Sequence, residues 1–259
     1  MSTSPAPPSP FNLAGRVALV TGSSRGLGLA MARALAQAGA DIVLHASTAE
    51  PVEVAAALAA QCGVRAAGLV ADLQKRDEVD ALVPGVIERM GRLDILVNNA
   101  GIIRRAEAEA YDDADWDAVL EVNLSSMFRL CRAAGRHMLA GSGGKIINVA
   151  SVLSFQGGVR VPAYAAAKGG VAQLTKALAN EWAGRRVNVN AIAPGYIRTD
   201  ATSALVGDPV RYRQILDRIP AGRWGDPDDF GGATVFLASS ASDYVHGSVL
   251  VIDGGWMGR

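Results

Sequence analysis

Short apolar runs alternate along this chain with longer segments in which apolar residues recur every three or four positions. The short runs are typical of buried strands, and the longer periodic segments are typical of amphipathic helices. The predicted strands are Arg16–Val20, Asp41–Leu44, Val64–Val70, Leu93–Val97, Ile146–Ala150, Val187–Ile192 and Val249–Ile252. The predicted helices are Leu29–Ala38, Val52–Gln61, Lys75–Met90 (despite Pro84), Asp113–Leu139 and Pro162–Ala183.

This alternation of strands and helices predicts an α/β fold: one doubly wound domain with a seven-stranded parallel sheet and helices on both faces. We place the domain at residues 11–259, because no internal linker divides them. Residues 1–10 read MSTSPAPPSP. They lack a basic start and an apolar segment, so we expect a disordered tail and not a signal peptide.

Composition and charge narrow the possible partners. The chain has 259 residues, of which 50% are hydrophobic, and its 25 Lys and Arg balance its 25 Asp and Glu. Without a basic stripe or 18 consecutive apolar residues, nothing favours a nucleic-acid or membrane partner. Cys62 and Cys131 lack zinc or redox spacing, which favours reduced thiols in a cytoplasmic protein. His45, His137 and His246 form no ligand cluster, so no metal is predicted.

A glycine-rich turn follows the first predicted strand and opens the first predicted helix. Strand, turn and helix in this order is the context that a dinucleotide site requires. Gly22 permits a tight turn, Gly26 lets the backbone approach a pyrophosphate, and Gly28 allows close helix–strand packing. The helix N-terminus would then face the anion. The spacing is GxxxGxG, and such a turn alone is as typical of a structural role as of a binding site.

Tyr164 and Lys168 lie four residues apart in a predicted helix and therefore project from one face. A free phenol has a pKa of about 10. A neighbouring ammonium should lower the pKa of Tyr164 and make it a usable proton donor and acceptor. Ser151 follows a buried strand, where its hydroxyl could bond a carbonyl oxygen that Tyr164 protonates. A YxxxK pair alone also recurs by chance on exposed helices.

These motifs, together with Asn98–Gly101, Asn123 and Pro194–Gly195 in the same order, resemble the short-chain dehydrogenase/reductase family. The resemblance implies a Rossmann fold and hydride transfer between a nicotinamide dinucleotide and a substrate carbon. It assigns catalysis to Asn123, Ser151, Tyr164 and Lys168. It assigns cofactor contacts to Gly22, Ser24, Arg25, Gly26, Leu27, Gly28, Ser47, Asp72, Leu73, Asn99, Ala100, Gly101, Tyr164, Lys168, Pro194, Gly195, Ile197 and Thr199.

The resemblance also gives individual roles. Lys168 is expected to bond the nicotinamide ribose, and Asn123 to support a water that links this lysine to solvent. Asp72 is expected to contact the adenine; a helix N-cap is the other interpretation, and both can hold together. The segment Pro194–Thr199 is expected to hold the nicotinamide carboxamide.

The choice between NADP and NAD depends on the end of the second strand. Leu44–Thr48 contains no carboxylate that would bond a ribose 2′-hydroxyl and repel a 2′-phosphate. Arg25 occupies the position of a basic residue in NADP-dependent relatives. We therefore expect NADP, with Arg25 and Ser47 at the 2′-phosphate. NAD stays possible, because Arg25 could pair only with a surface acid.

Within the family, Ser154–Pro162 and Ile219–Gly225 are similar to enzymes that interconvert an alcohol and a ketone on six-carbon sugar acids of the gluconate or 2-keto-3-deoxygluconate type. An arginine fork would suit such a carboxylate. The predicted substrate residues are Arg104, Ser151, Gln156, Arg160 and Tyr196, with Arg105 ranked below the other two arginines. A 3-oxoacyl-carrier-protein reductase and a non-catalytic dinucleotide-sensing protein are the alternatives.

The helices predicted at Asp113–Leu139 and Pro162–Ala183 carry many alanines and few charges. Such faces favour packing against a copy of the same chain, and the resemblance implies a homotetramer. The alternative is that other parts of the chain cover these faces.

Overall fold

The computed structural model describes residues 9–259 and contains one seven-stranded parallel sheet, in the order β3-β2-β1-β4-β5-β6-β7. The strands are β1 (Val17–Val20), β2 (Asp41–Ala46), β3 (Ala66–Val70), β4 (Ile95–Asn98), β5 (Gly144–Val149), β6 (Val187–Pro194) and β7 (Val249–Ile252). The helices are α1 (Gly26–Gln37), α2 (Val52–Cys62), α3 (Arg76–Met90), α4 (Asp113–Leu120), α5 (Ser126–Ala140), α6 (Pro162–Trp182), α7 (Ser203–Val206), α8 (Pro209–Leu216) and α9 (Gly231–Ala238).

The sheet is covered on both faces, which explains why β1 and residues 95–97 of β4 are apolar without interruption. Alternate residues of β1 enter different layers, as the two-residue strand period requires. Val17 and Leu19 pack with α3, α5 and α6, whereas Ala18 and Val20 pack with α1, α2 and α9. The predicted doubly wound fold is confirmed, and the direction of strand order reverses between β1 and β4.

The long helix predicted at Asp113–Leu139 is interrupted. Between α4 and α5 the backbone makes one wider, π-helical turn at Glu121–Ser125, where the Ser126 N–H donates to the Glu121 carbonyl five residues back. Such single wide turns inside α-helices frequently lie at functional sites. Hydrophobic periodicity alone did not predict it, because one wider turn hardly changes the apolar pattern.

The sequence pattern also missed α7, α8 and α9, which fill the connection from β6 to β7. A local signal for α8 was present: Asp208 is followed by Pro209, a helix start of N-cap and N1 proline. The Asp208 carboxylate accepts hydrogen bonds from the N–H groups of Val210 and Arg211.

The predicted tail lies mostly outside the described residues, because these begin at Ser9. Pro10 was also placed in the tail, but its carbonyl accepts hydrogen bonds from Ser240 Oγ (3.0 Å) and the Ala241 N–H (3.3 Å). The packed body therefore begins slightly before residue 11. No helix within residues 9–259 combines the length and the apolar character needed to cross a membrane.

Candidate active site

The glycine turn forms a cradle that side chains would fill. Gly22 and Gly26 both have left-handed backbone angles, with φ of 60° and 57°. A Cβ atom on Gly28 would collide with the Gly22 carbonyl oxygen and lie 2.5 Å from Asn99 Nδ2. The first N–H groups of α1 have no partners within the helix, so they suit a pyrophosphate. The predicted residues of this turn, all brought together here, are Gly22, Ser24, Arg25, Gly26, Leu27 and Gly28.

Asn99 and Ala100 hold this turn from the end of β4. The N–H groups of both residues donate to Thr21 Oγ1, each at 3.0 Å. The Asn99 side-chain amide donates to the carbonyls of Thr21 (2.9 Å) and Gly22 (3.0 Å). Asn99 therefore fixes the shape of the cradle, a role that was not part of its predicted contact with the cofactor.

Arg25 lies at the mouth of the cradle and pairs with Asp200 at 3.0 Å, with both side chains about 80% exposed. An exposed pair contributes at most about 1 kcal/mol, so a phosphate can compete for the guanidinium. Ser47 is exposed just beyond β2. Asp72 accepts a hydrogen bond from the Gln74 N–H (3.0 Å), so it shapes the turn before α3 without capping that helix directly. Leu73 beside it is buried.

The loop after β6 reaches the same cleft. Gly195 packs closely against β7, because an added Cβ would lie 2.6 Å from Asp253 Cα. Ile197 is buried, and the Thr199 methyl lies 4.0 Å from the position of a Cβ on Gly26. The predicted nicotinamide loop, which begins at Pro194, therefore runs beside the glycine turn.

The four predicted catalytic residues come from three neighbouring elements. Ser151 follows β5, Tyr164 and Lys168 lie on α6, and Asn123 lies in the wide turn between α4 and α5. Two of them meet at Gly101, where a Cβ would strike Asn123 Oδ1 and lie 3.9 Å from Lys168 Nζ. The absence of a side chain at Gly101 is therefore what lets the asparagine and the lysine approach.

Asn123 is completely buried, and its amide is fully occupied with backbone groups. It donates to the carbonyls of Ile102 and Val119, both at 2.9 Å, and accepts from the Ile102 N–H at 3.2 Å. These bonds explain why a residue of poor helix propensity is found within a helix. They tie the wide turn to the segment that follows β4.

The predicted effect of Lys168 on Tyr164 is wrong for this structure. Burial raises the pKa of Tyr164 to about 12, and a hydrogen bond with Ser151 acts against this rise. Lys168 Nζ donates to the Val149 carbonyl at 2.6 Å and lies 5.6 Å from the centre of the tyrosine ring. Its charge is thus directed at a carbonyl and not at the phenol. Burial also lowers the pKa of Lys168 to about 8.

Ser154 is a site residue that sequence reasoning missed. Its hydroxyl donates to the Lys168 carbonyl (2.6 Å) and accepts from the Ser151 N–H (3.3 Å). It thereby connects the serine turn to the helix that carries Tyr164. The Ser-x-x-Ser spacing of Ser151 and Ser154, which forms a capping box here, was the available signal.

The three arginines near the site have different surroundings. Arg104 pairs with Asp115 at 3.2 Å, and Arg160 pairs with Glu107 at 3.3 Å. Arg160 also adopts an unusual positive φ of 64°. The charge of Arg105, in contrast, acts on Tyr164 and favours its ionised form. The two arginines ranked first by sequence thus form exposed ion pairs with carboxylates, and the charge of the third acts on the phenol.

An aromatic cluster packs beside the loop that joins Ser151 to Tyr164. Tyr196 lies 4.6 Å from Trp256 between ring centres, and Arg218 lies 3.8 Å above the Trp256 ring. Trp256 Nε1 donates to Gln156 Oε1 at 3.2 Å, so part of the predicted hydrogen-bonding capacity of Gln156 is already used. Tyr196 and Gln156 are therefore brought together, and Trp256 is the contact between them that the sequence did not indicate.

The three histidines are all in hydrogen-bonding contact with the protein. His45 Nδ1 accepts from the Gly22 N–H (3.0 Å), and His137 Nε2 accepts from the Leu93 N–H (3.3 Å). His246 Nε2 lies 3.3 Å from Asn188 Nδ2. Across residues 9–259, no three His, Cys, Asp or Glu side chains are grouped to hold a metal ion. Catalysis without a metal stays a prediction.

Comparison with known proteins identifies the family. Residues 22–257 match the family model described as Enoyl-(Acyl carrier protein) reductase. The chain belongs to the short-chain dehydrogenase/reductase family. It is 53% identical to the 2-dehydro-3-deoxy-D-gluconate 5-dehydrogenase of Escherichia coli strain K12, over 97% of this chain and 99% of the relative.

Two crystal structures of dehydrogenase/reductases are similar throughout. A candidate 2-deoxy-D-gluconate 3-dehydrogenase from Agrobacterium tumefaciens, with bound NADP, has a TM-score of 0.91 and 51% identity, covering 97% of this chain and all of that one. A candidate NAD(P)-dependent gluconate 5-dehydrogenase from Beutenbergia cavernae, with NADP at low occupancy, has a TM-score of 0.93 and 49% identity at the same coverage. The predicted family, fold and oxidoreductase class are confirmed, whereas the roles of individual site residues stay predictions.

Proposed function

We propose that this dehydrogenase/reductase interconverts a secondary alcohol and a ketone on a six-carbon sugar acid, with NADP(H) as cofactor. The observation that carries the proposal is the convergence of Asn123, Ser151, Tyr164 and Lys168 beside a glycine cradle. The names of the similar proteins, which act on gluconate or its 2-dehydro-3-deoxy and 2-deoxy derivatives, support the substrate class.

A nicotinamide dinucleotide held at the glycine turn of Gly22, Gly26 and Gly28 would supply or accept the hydride. Tyr164 exchanges a proton with the substrate oxygen, and its raised pKa keeps the phenol protonated near neutrality, ready for ketone reduction. Ser151 contacts both the substrate oxygen and the phenol. Lys168, with a pKa of about 8, can pass protons between the buried site and its surroundings.

The direct test is a kinetic screen of C6 sugar acids with both cofactors. We expect turnover of a gluconate-type acid and none of an acyl-carrier-protein thioester. The reverse result would favour the 3-oxoacyl-carrier-protein reductase that the sequence left open. Dinucleotide binding without turnover of any substrate would favour the non-catalytic alternative.

The cofactor preference depends on Arg25. Arg25→Ala should raise the Kd of NADPH roughly 10- to 100-fold, because a charge-assisted hydrogen bond to the 2′-phosphate contributes about 1.5–3 kcal/mol. The Kd of NADH should change less than about threefold. Fluorescence titration measures both constants. Arg33→Ala is the matched control, since Arg33 lies on the same helix and pairs with Asp228 at 3.9 Å. Equal NADPH and NADH affinities, unchanged by Arg25→Ala, would contradict the assignment.

The carboxylate anchor is the second specific prediction, and here the geometry favours a revision. The ion pairs of Arg104 with Asp115 and of Arg160 with Glu107 are exposed and can yield to a carboxylate, so the argument for Arg105 is that its charge acts on the reacting phenol. We therefore propose Arg105 as the main contact of the substrate carboxylate. Arg105→Ala should raise the KM of the acid by about 30- to 150-fold, the equivalent of about 2–3 kcal/mol.

The controls for this anchor remove a charge from the protein at other arginines, or remove the charge from the substrate. Arg104→Ala and Arg160→Ala are matched variants that should change the KM by less than about fivefold. The KM of an uncharged analogue of the sugar acid should change little in Arg105→Ala. If Arg104→Ala or Arg160→Ala instead raises the KM of the acid but not that of the uncharged analogue, the ranking made from the sequence, with Arg104 and Arg160 above Arg105, is favoured.

We also propose that the enzyme is a cytoplasmic homotetramer. Phe128 on α5 is 41% exposed and lines a depression together with Leu124 and Leu174, so this face is not covered within the described chain. The family expectation of two-fold packing through α5 and α6 supports the assembly. The free thiols of Cys62 and Cys131 suit a reducing compartment. A monomeric mass by light scattering at micromolar concentration, or fractionation outside the cytoplasm, would contradict these assignments.

A further inference from the structure

His45 is completely buried at the end of β2, and its ring joins two segments of the proposed cofactor site. The Gly22 N–H donates to His45 Nδ1 at 3.0 Å, and His45 Nε2 lies 2.9 Å from the Ala71 carbonyl. An amide N–H can only donate and a carbonyl can only accept. The ring therefore carries its hydrogen on Nε2, leaves Nδ1 as an acceptor and is neutral.

The backbone of His45 holds the next residue of the glycine turn as well. The Ser23 N–H donates to the His45 carbonyl, and the His45 N–H donates to Ser23 Oγ, both at 3.0 Å. The Ser23 hydroxyl in turn donates to the Val20 carbonyl at 2.6 Å. Two consecutive turn residues, Gly22 and Ser23, are thus fixed by one residue of β2.

The opposite end of the imidazole fixes the second segment. Ala71 directly precedes Asp72 and Leu73, which are the residues expected beside the adenine. The glycine turn and this segment follow β1 and β3, which lie on either side of β2 in the sheet. The His45 ring therefore contacts both segments, and its bond to Ala71 keeps the imidazole with Nδ1 directed at Gly22. Burial lowers the pKa of His45, which keeps the ring neutral at physiological pH.

We propose that His45 is a positioning residue for the dinucleotide, because Nδ1 of its neutral ring is the acceptor that fixes the Gly22 N–H and with it the pyrophosphate turn. This inference rests on the proposed function as an NADP(H)-dependent enzyme. The Gly22 N–H is already bonded to His45 Nδ1, so the first N–H groups of α1 are the ones that would bind the pyrophosphate. Without the acceptor at Nδ1, the glycine turn would become ordered only when the dinucleotide binds, and this ordering would lower the affinity for the dinucleotide.

Two substitutions separate the two ends of the ring. In His45→Asn the side-chain oxygen can replace Nδ1 and keep the bond from Gly22. In His45→Gln the longer amide can replace Nε2 and keep the bond to Ala71, but Gly22 loses its acceptor. We expect the Kd of NADPH to change less than about threefold in His45→Asn and to rise roughly 10- to 30-fold in His45→Gln. With saturating NADPH, kcat should be nearly unchanged in both.

His137→Gln is the matched control, since His137 also accepts a backbone N–H, from Leu93, away from the cofactor cleft. It should lower the melting temperature without changing the Kd. If His45→Asn and His45→Gln bind NADPH equally well, or lose affinity equally, the positioning role is overturned while the proposed function stands. A wild-type protein that binds no dinucleotide would overturn both.

A measurement on the wild-type protein covers the case in which a variant fails to fold. Histidine-selective ¹⁵N NMR should show His45 as a neutral ring with its proton on Nε2 between pH 7 and 8. A proton on Nδ1 in this range would exclude the bond from Gly22 and with it the proposed role.

Discussion

Tyr164→Phe should lower kcat by about 10²- to 10⁴-fold and leave the Kd of NADPH within about threefold of the wild-type value. The substitution removes the proton donor but keeps the ring that packs beside Lys168. Stopped-flow absorbance of the nicotinamide during reduction of a keto acid measures the rate. Tyr212→Phe is the matched control, because Tyr212 stacks on Trp224 at 5.4 Å and keeps that stacking without its hydroxyl.

The raised pKa of Tyr164 adds a dependence on pH and on reaction direction. Alcohol oxidation needs the ionised phenol, whose fraction increases tenfold per pH unit below the pKa. Oxidation by the wild-type enzyme should therefore accelerate through the alkaline range, whereas reduction, which uses the protonated phenol, should not. Comparable turnover by Tyr164→Phe and wild type, or opposite pH trends, would remove Tyr164 from the reaction.

Gly28→Ala should weaken NADPH binding by on the order of 100-fold and lower the free energy of unfolding by about 1–3 kcal/mol. The new Cβ would collide with the Gly22 carbonyl oxygen and lie 2.5 Å from Asn99 Nδ2. Both groups belong to the hydrogen-bonded cradle, so neither can move without displacing the turn. Calorimetric titration and urea denaturation measure the two effects.

Gly169→Ala is the corresponding control on α6. Nothing lies within 4 Å of a Cβ placed there, and alanine is about 0.5–1 kcal/mol better than glycine inside a helix. This variant should bind NADPH normally and unfold at equal or higher urea concentration. Normal binding by Gly28→Ala as well would show that the cradle tolerates a side chain.

The sequence predicted the parts of this molecule that depend on local order along the chain. A strand followed by glycines and a helix led to the cradle, and the four-residue spacing of Tyr164 and Lys168 gave a common helix face. The order of motifs identified the family. These features could be predicted because they depend on backbone periodicity and on the few residue types that a tight turn accepts.

The features that the sequence did not reveal depend on contacts between distant segments. Nothing local indicates that Asp115 engages Arg104 or that Glu107 engages Arg160, so these ion pairs could not enter the ranking of the three arginines, which stays a prediction. The effect of Lys168 on the tyrosine was misjudged for the same reason, since the Val149 carbonyl that accepts its hydrogen bond lies on another element. For His45 the sequence indicated only that it belongs to no metal-ligand cluster, because its partners Gly22 and Ala71 are distant from it along the chain.

The wide turn around Asn123 has a consequence for how this stretch tolerates insertions and deletions. A π-helical turn contains one residue more than the α-helical turn it replaces. Deleting a residue between Leu120 and Ser126 would convert this turn into a regular α-helical one, and α5 would keep its direction, because the wide turn accommodates the extra residue within a single turn. Phe128 and the rest of α5 would then stay in place, and the change would be confined to the turn that carries Asn123. A single-residue gap placed here in a sequence alignment is therefore physically reasonable, whereas a gap inside α5 would rotate the residues after it by about 100°.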